Sequence, residues 1–125
     1  MAREYSSRAE SDPSKIRQVI APETSKTISG MLASVVDNGF DKARIKGYDI
    51  AGKTGTAQVA SPGGYDASKT IGTFAGFGPL DNPRFVIVVK VTNPKAVKFA
   101  ETTAAPAFGA MAKFLLNYFQ IPPTR

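Results

Sequence analysis

Apolar positions in this chain recur with two different periods, and the switches between them mark out the elements. Ile28, Met31, Leu32, Val35 and Val36 fall at i, i+3, i+4, i+7 and i+8, the spacing of one helical face. Ala21-Pro22-Glu23-Thr24 opens this helix, because proline suits the first helical position and Glu23 complements the dipole. Asn38-Gly39 predicts a left-handed stop. A second stripe, Phe108, Met111, Ala112, Leu115, Leu116 and Phe119, predicts a closing helix after Thr102-Thr103, which Pro122-Pro123 keeps from continuing.

Alternation takes over elsewhere. Lys15 to Ile20 alternates well enough for a short strand. A strand is expected from Tyr48 to Ala60, broken by Ser61-Pro62-Gly63-Gly64, with Ser61 to Thr70 forming a loop beside it. Ile71 to Phe77 alternates large and small residues, so one face is bulky and the other nearly bare. Gly72, Gly76 and Gly78 there predict close approach by a neighbouring helix or strand rather than a phosphate loop, since no lysine follows them. Phe85 to Val91 is apolar on both faces and is expected to be a central strand. With the turn Pro79-Leu80-Asp81-Asn82-Pro83, these two strands make an antiparallel hairpin. The order strand, helix, three strands, helix predicts an α+β fold, an antiparallel sheet flanked by amphipathic helices. Residues 1–14 are polar and aperiodic and read as a flexible tail, leaving 15–125 as one domain.

Composition narrows the chemistry. The 125 residues contain no cysteine and no histidine. Disulfides, thiolate or imidazole metal sites and a Ser-His-Asp triad are therefore excluded, and no metal or cofactor is expected. A net charge of +6 permits attraction to polyanions, but the sixteen Lys and Arg are scattered and no basic-aromatic module is present, so nucleic acid is not an expected partner. No apolar run reaches the ~18–20 residues of a membrane span, and the first residues do not begin a signal peptide. A soluble chain is expected.

The candidate chemistry lies in Lys53-Thr54-Gly55-Thr56-Ala57-Gln58, where a lysine between glycines is followed by small and hydroxyl residues on a strand. Such a strand can be approached closely by an extended ligand. By itself the segment reads more readily as a strand with an exposed lysine. Lys-Thr-Gly is also one of three motifs of active-site serine transpeptidases and β-lactamases.

Further segments follow the same order. They are Ile20-Ala21-Pro22-Glu23-Thr24, Gly47 to Gln58, Ile71 to Pro79, Asp81-Asn82-Pro83-Arg84-Phe85, and Ala105-Pro106-Ala107-Phe108 opening the last helix. Together they resemble the C-terminal part of a class B penicillin-binding protein transpeptidase domain, over about residues 15 to 123. The resemblance implies the penicillin-binding-protein/serine β-lactamase-like fold. It also implies peptidoglycan cross-linking: a serine attacks the penultimate D-Ala carbonyl of a stem peptide, and β-lactams acylate that serine.

By the same resemblance Lys53 faces the cleft and, with Thr54, Gly55 and Thr56, meets the substrate carboxylate and backbone. The Thr56 N–H would be one oxyanion-hole donor, a contribution worth about 3–4 kcal/mol where such donors are used. Gln58 is a further substrate-side candidate. Tyr48 is expected to pack rather than to act as an acid, and Asp49 to face solvent. Two positions depart from the family: Ala21 stands where a capping serine is frequent, and Phe99-Ala100-Glu101-Thr102-Thr103 lacks a Gly-Gly pair.

Two partner motifs are missing. No serine in the chain is followed three residues later by lysine, and Ser-x-Asn does not occur. The expectation is a fragment that supplies one wall of an active site, has no nucleophile and is inactive alone. It would pair with the remainder of the domain, self-associate or domain-swap. The parent is expected to be anchored in the bacterial cytoplasmic membrane with this domain outside. The alternative is a non-catalytic ligand- or partner-binding module on the same sheet.

Overall fold

The computed structural model describes residues 17–95 and 99–125. Helix α1 (Pro22–Gly39) is followed by strands β1 (Ala51–Ser61), β2 (Gly64–Gly78) and β3 (Phe85–Thr92), and helix α2 (Ala100–Tyr118) closes the chain. The strands form an antiparallel sheet in the order β1-β2-β3. An α+β fold is what the alternation and helical periods predict. The expected first strand is not seen: residues 17–20 are not strand, and Lys15 and Ile16, like the tail, lie outside the described residues.

α1 starts as expected, with Pro22 in its first turn, and the Ala21 cap makes no side-chain hydrogen bond. Its end differs. Gly39 is not left-handed; the helix closes on Phe40 (φ −134°), whose N–H donates to the Val36 carbonyl at 3.1 Å. The Phe40 ring then meets Phe74 edge-on at 5.9 Å, so packing of this ring turns the chain where a glycine was expected to. The predicted stripe is buried only toward the helix end. Val36 is fully buried, whereas Ile28 and Met31 are exposed.

The expected loop from Ser61 to Thr70 is instead a tight hairpin. Gly63 and Gly64 take positive φ values of 91° and 145°, which lets β2 begin directly after the turn. The ladder pairs Ser61 with Gly64, Ala60 with Tyr65 and Val59 with Asp66 before shifting register between Gln58 and Val59. Among the described strands β3 is also not central. It lies at the sheet edge, and β2 takes the middle. Val86 and Val88 on its outer face are 75% and 66% exposed.

The nearly bare face of β2 is the one that α2 covers. A side chain at Gly76 would fall 2.6 Å from the Phe108 ring, and one at Gly72 3.0 Å from the Ala100 Cα. The absence of Cβ at these positions brings the helix close enough to clamp Phe74, whose ring lies 4.6 Å from that of Phe108. Val36, Ala43, Ile45, Ile50, Phe85, Ala104, Ala105, Ala112 and Leu116 complete this core.

α2 begins before Thr102-Thr103, at Ala100. The Thr102 and Thr103 hydroxyls donate to the Phe99 carbonyl at 2.9 and 3.0 Å, tying the first turn together. Pro106 therefore sits inside the helix rather than at its opening.

Candidate functional site

Both flanks of β1 are fixed by the residues that lead into it. Gly47, at φ 90°, turns the chain, and its carbonyl accepts the N–H groups of Thr124 (2.8 Å) and Arg125 (3.2 Å). The Tyr48 hydroxyl donates to the Ile121 carbonyl at 2.7 Å, so this phenol is committed to holding the C-terminal segment, as the packing expectation has it. Asp49 does not simply face solvent. It accepts from Arg125 at 2.9 Å, and the same guanidinium grips both carboxylate oxygens of Asp37 at 2.8 and 2.9 Å. One arginine thereby ties the end of α1 to the entrance of β1.

Beyond that entrance the strand becomes accessible. Lys53, Thr56, Ala57 and Gln58 are exposed, and Thr54 and Gly55 are half-buried. Among the described strands β1 lies at the sheet edge, and no described residue pairs with its outer side, which an extended ligand could meet. Cross-strand partners share a face. The register therefore sets Thr54 and Thr56 with Phe74 and Gly72, and Lys53 and Gly55 on the opposite face with Ala75 and Thr73.

The Lys53 ammonium donates to the Thr54 hydroxyl at 3.1 Å and to the Thr54 carbonyl at 3.2 Å. It stands 5.9 Å from the centre of the Phe40 ring, at the outer limit of cation–π attraction. No described carboxylate pairs with it. The result is a held positive charge, with a hydroxyl beside it, on an open strand edge. That arrangement can bind a carboxylate by charge-assisted hydrogen bonds.

Lys53, Thr54, Gly55 and Thr56 are contiguous here, whereas Gln58 stands apart. It lies at the register shift, roughly 17 Å along the strand from Lys53 at the usual rise. Two residues enter the site without any signal in the motif itself. One is Phe40, beneath the ammonium. The other is Thr73, whose hydroxyl donates to the Gly55 carbonyl at 3.2 Å. Both need the tertiary register to be found. Among the described residues no group of acidic side chains could hold a metal ion.

A lysine–threonine–glycine strand thus lies at the edge of an antiparallel sheet that packs against two helices. The chain belongs to the penicillin binding protein transpeptidase domain family, whose model matches residues 3–113. It is 41% identical over 111 residues to Stage V sporulation protein D of Bacillus subtilis (strain 168), covering 87% of this chain and 17% of that protein. It is 39% identical over 116 residues to peptidoglycan D,D-transpeptidase FtsI of Escherichia coli (strain K12), covering 90% of this chain and 20% of that one. The apo transpeptidase domain of Burkholderia pseudomallei penicillin-binding protein 3 superposes with a TM-score of 0.78 at 33% identity, over 87% of this chain and 34% of that one. Penicillin binding protein 3 of Mycobacterium tuberculosis complexed with ampicillin gives 0.73 at 34% identity, over 83% and 26%. The chain thus spans at most about a fifth of the length of these two curated relatives.

Proposed function

We propose that this chain supplies the substrate-binding wall of a peptidoglycan D,D-transpeptidase, with the attacking serine carried on polypeptide outside these 125 residues. The observation that carries this reading is the unpaired Lys53 ammonium fixed against Thr54 on the free edge of β1. In that role Lys53 and Thr54 attract the terminal carboxylate of a stem peptide or β-lactam. Gly55 lets the ligand backbone lie against the strand, and the Thr56 N–H polarises the carbonyl under attack. Gln58 is too far along the strand to share that carboxylate and would touch only an extended substrate. β-Lactam recognition is supported by the ampicillin complex of the Mycobacterium tuberculosis relative. Among the described residues no helix is long and apolar enough to cross a membrane. Anchoring of the parent, with this domain outside the cytoplasmic membrane, belongs to the same proposal.

Labelling with a fluorescent penicillin tests it. The chain is expected to stay unlabelled by itself. Mixed with a complementary polypeptide bearing Ser-x-x-Lys and Ser-x-Asn, it should restore covalent labelling of that polypeptide, and Lys53→Ala should abolish the restoration. Covalent label on this chain would overturn the assignment. Labelling of the complementary polypeptide that ignores Lys53→Ala would instead favour a non-catalytic binding module.

A further inference from the structure

A second cationic site lies on residues away from β1, between the connection that follows α1 and the flank of α2. Ala43 and Ile45 are buried in the core at 0% and 8% exposure, and the residues alternating with them, Lys42, Arg44 and Lys46, are exposed. Pinning the two apolar side chains inward thus forces three cations outward along a short stretch. Gly109 of α2 lets this stretch lie directly on the helix, because a Cβ there would run into the Lys42 carbonyl. Lys113, one helical turn on, adds a fourth cation from the other wall.

The groove so formed has a volume of about 400 Å³ and is lined by Lys42, Arg44, Ile45, Lys46, Gly109, Ala110 and Lys113. None of these is acidic. Asp41 is the one described carboxylate paired with a lining cation, meeting Arg44 at 2.8 Å. The three lysines form no ion pair with a described residue. Like charges gathered around a shared concavity repel one another, and a multivalent anion relieves that repulsion. The groove is large beside the ~30 Å³ share of one water, so it has room for a group with more than one anionic centre. Arg44 offers a planar fork for phosphate oxygens, and the lysines offer mobile point charges.

We propose that this groove binds a phosphate-bearing polyanion, either a soluble diphosphate or phosphodiester or the phosphate headgroups of an anionic lipid surface. It is distinct from the Lys53 edge, since none of its lining residues belongs to β1.

The test is a titration of the isotope-labelled chain with pyrophosphate, followed by amide chemical shifts, alongside co-sedimentation with vesicles of anionic or of zwitterionic phospholipid. Pyrophosphate should move the amides of residues 42–46 and 109–113 ahead of those around Lys26, Lys69 and Lys90. Lys113→Glu should weaken binding by about tenfold, and Lys90→Glu, the same change of charge elsewhere, should alter it far less. Binding should also fall as salt is raised. Saturable pyrophosphate binding at the groove identifies a soluble ligand. Co-sedimentation with anionic vesicles only, lost in Lys113→Glu, identifies headgroups. Equal effects of the two charge reversals, shifts spread over all lysines, or binding of neither probe would overturn the proposal. Circular dichroism of Lys113→Glu separates loss of the site from loss of the fold.

Discussion

The Thr73 hydroxyl reaches across from β2 to the Gly55 carbonyl at 3.2 Å, and a Cβ placed on Gly55 would stand 2.6 Å from that same oxygen. The two residues are directly paired in the ladder. The glycine of the Lys-Thr-Gly strand is thus needed for contact with its neighbour strand, besides the ligand access proposed for it. Thr73→Val keeps the shape and removes the bond, and should lower unfolding free energy by about 0.5–1.5 kcal/mol, with Thr73→Ser recovering most of it. Gly55→Ala should cost about 1–3 kcal/mol through overpacking. Much of that loss should vanish in the Gly55→Ala/Thr73→Ala double variant, because contacting residues couple. Urea unfolding midpoints of these four variants and of Thr73→Ala check this, and losses that add in the double variant would show that the Thr73 side chain does not limit position 55.

Gly76 is limited by contacts of a different kind. A methyl there would lie 2.6 Å from the Phe108 ring and 2.8 Å from the Ala51 carbonyl. The backbone oxygen has no rotamer by which to move aside, so the helix or the strand must shift. Gly76→Ala is expected to destabilise by about 1–3 kcal/mol. Gly30→Ala on α1, where the same construction meets nothing within 4 Å, should be neutral or slightly stabilising in a helix interior. Thermal unfolding of both variants in one buffer makes the comparison.

Much of this architecture is legible in periodicity. Val36, Phe108, Ala112 and Leu116 are core residues in the fold, and each lies on a predicted helical stripe. The first half of β2 left no such trace, because Tyr65 and Lys69 are exposed and the backbone ladder, not a buried face, holds that hairpin end. β3 shows the converse. Valines on both faces signal an apolar strand, but the sequence does not say what covers it, and the outer face at Val86 and Val88 is open. The motif wall was legible as a string of residues and not as a site. Counting back from the Ser61–Gly64 turn would set Gly55 opposite Thr70, and the register shift after Gln58 moves its partner to Thr73. Arg125 and Asp37 meet in the fold but lie 88 residues apart in the chain, and no local pattern couples them.

That pair gives the fold an acid-sensitive clasp. The Asp37 carboxyl is held below its ordinary value, first by hydrogen bonds from the Arg125 guanidinium and then by the charges of Arg125 and Arg44, with burial opposing. A carboxylate whose folded value is depressed lends stability at pH above its unfolded value, near 4, and loses it as pH falls through the folded value. Arg125 is raised, first by its hydrogen bonds to Asp37 and then by the charges of Asp49 and Asp37, with burial opposing, but it stays charged over any pH used for folding. Both side chains are partly exposed, at 31% and 40%, so the contribution should stay within about 1 kcal/mol. Wild type should exceed Asp37→Asn in stability at pH 6, and the gap should close below pH ~4. A gap that persists at low pH would mean that the pair stabilises by packing rather than by charge.

The open face of β3 should govern how the isolated chain behaves at high concentration. No described strand pairs with its outer edge, and Val86 and Val88 stand exposed on the same side as Lys90, the one charge on β3 itself. An edge strand with an apolar face is a template for pairing with a second copy, and a single lysine is a weak guard against it. Concentration-dependent association by light scattering is therefore expected, together with binding of an apolar dye. Val88→Lys adds a second charge next to Lys90 on that face without touching the core side of the strand. It should shift the chain toward monomer and reduce dye uptake while leaving the far-ultraviolet spectrum unchanged. A wild-type chain that stays monomeric and dye-free would mean that this face is covered within the chain itself.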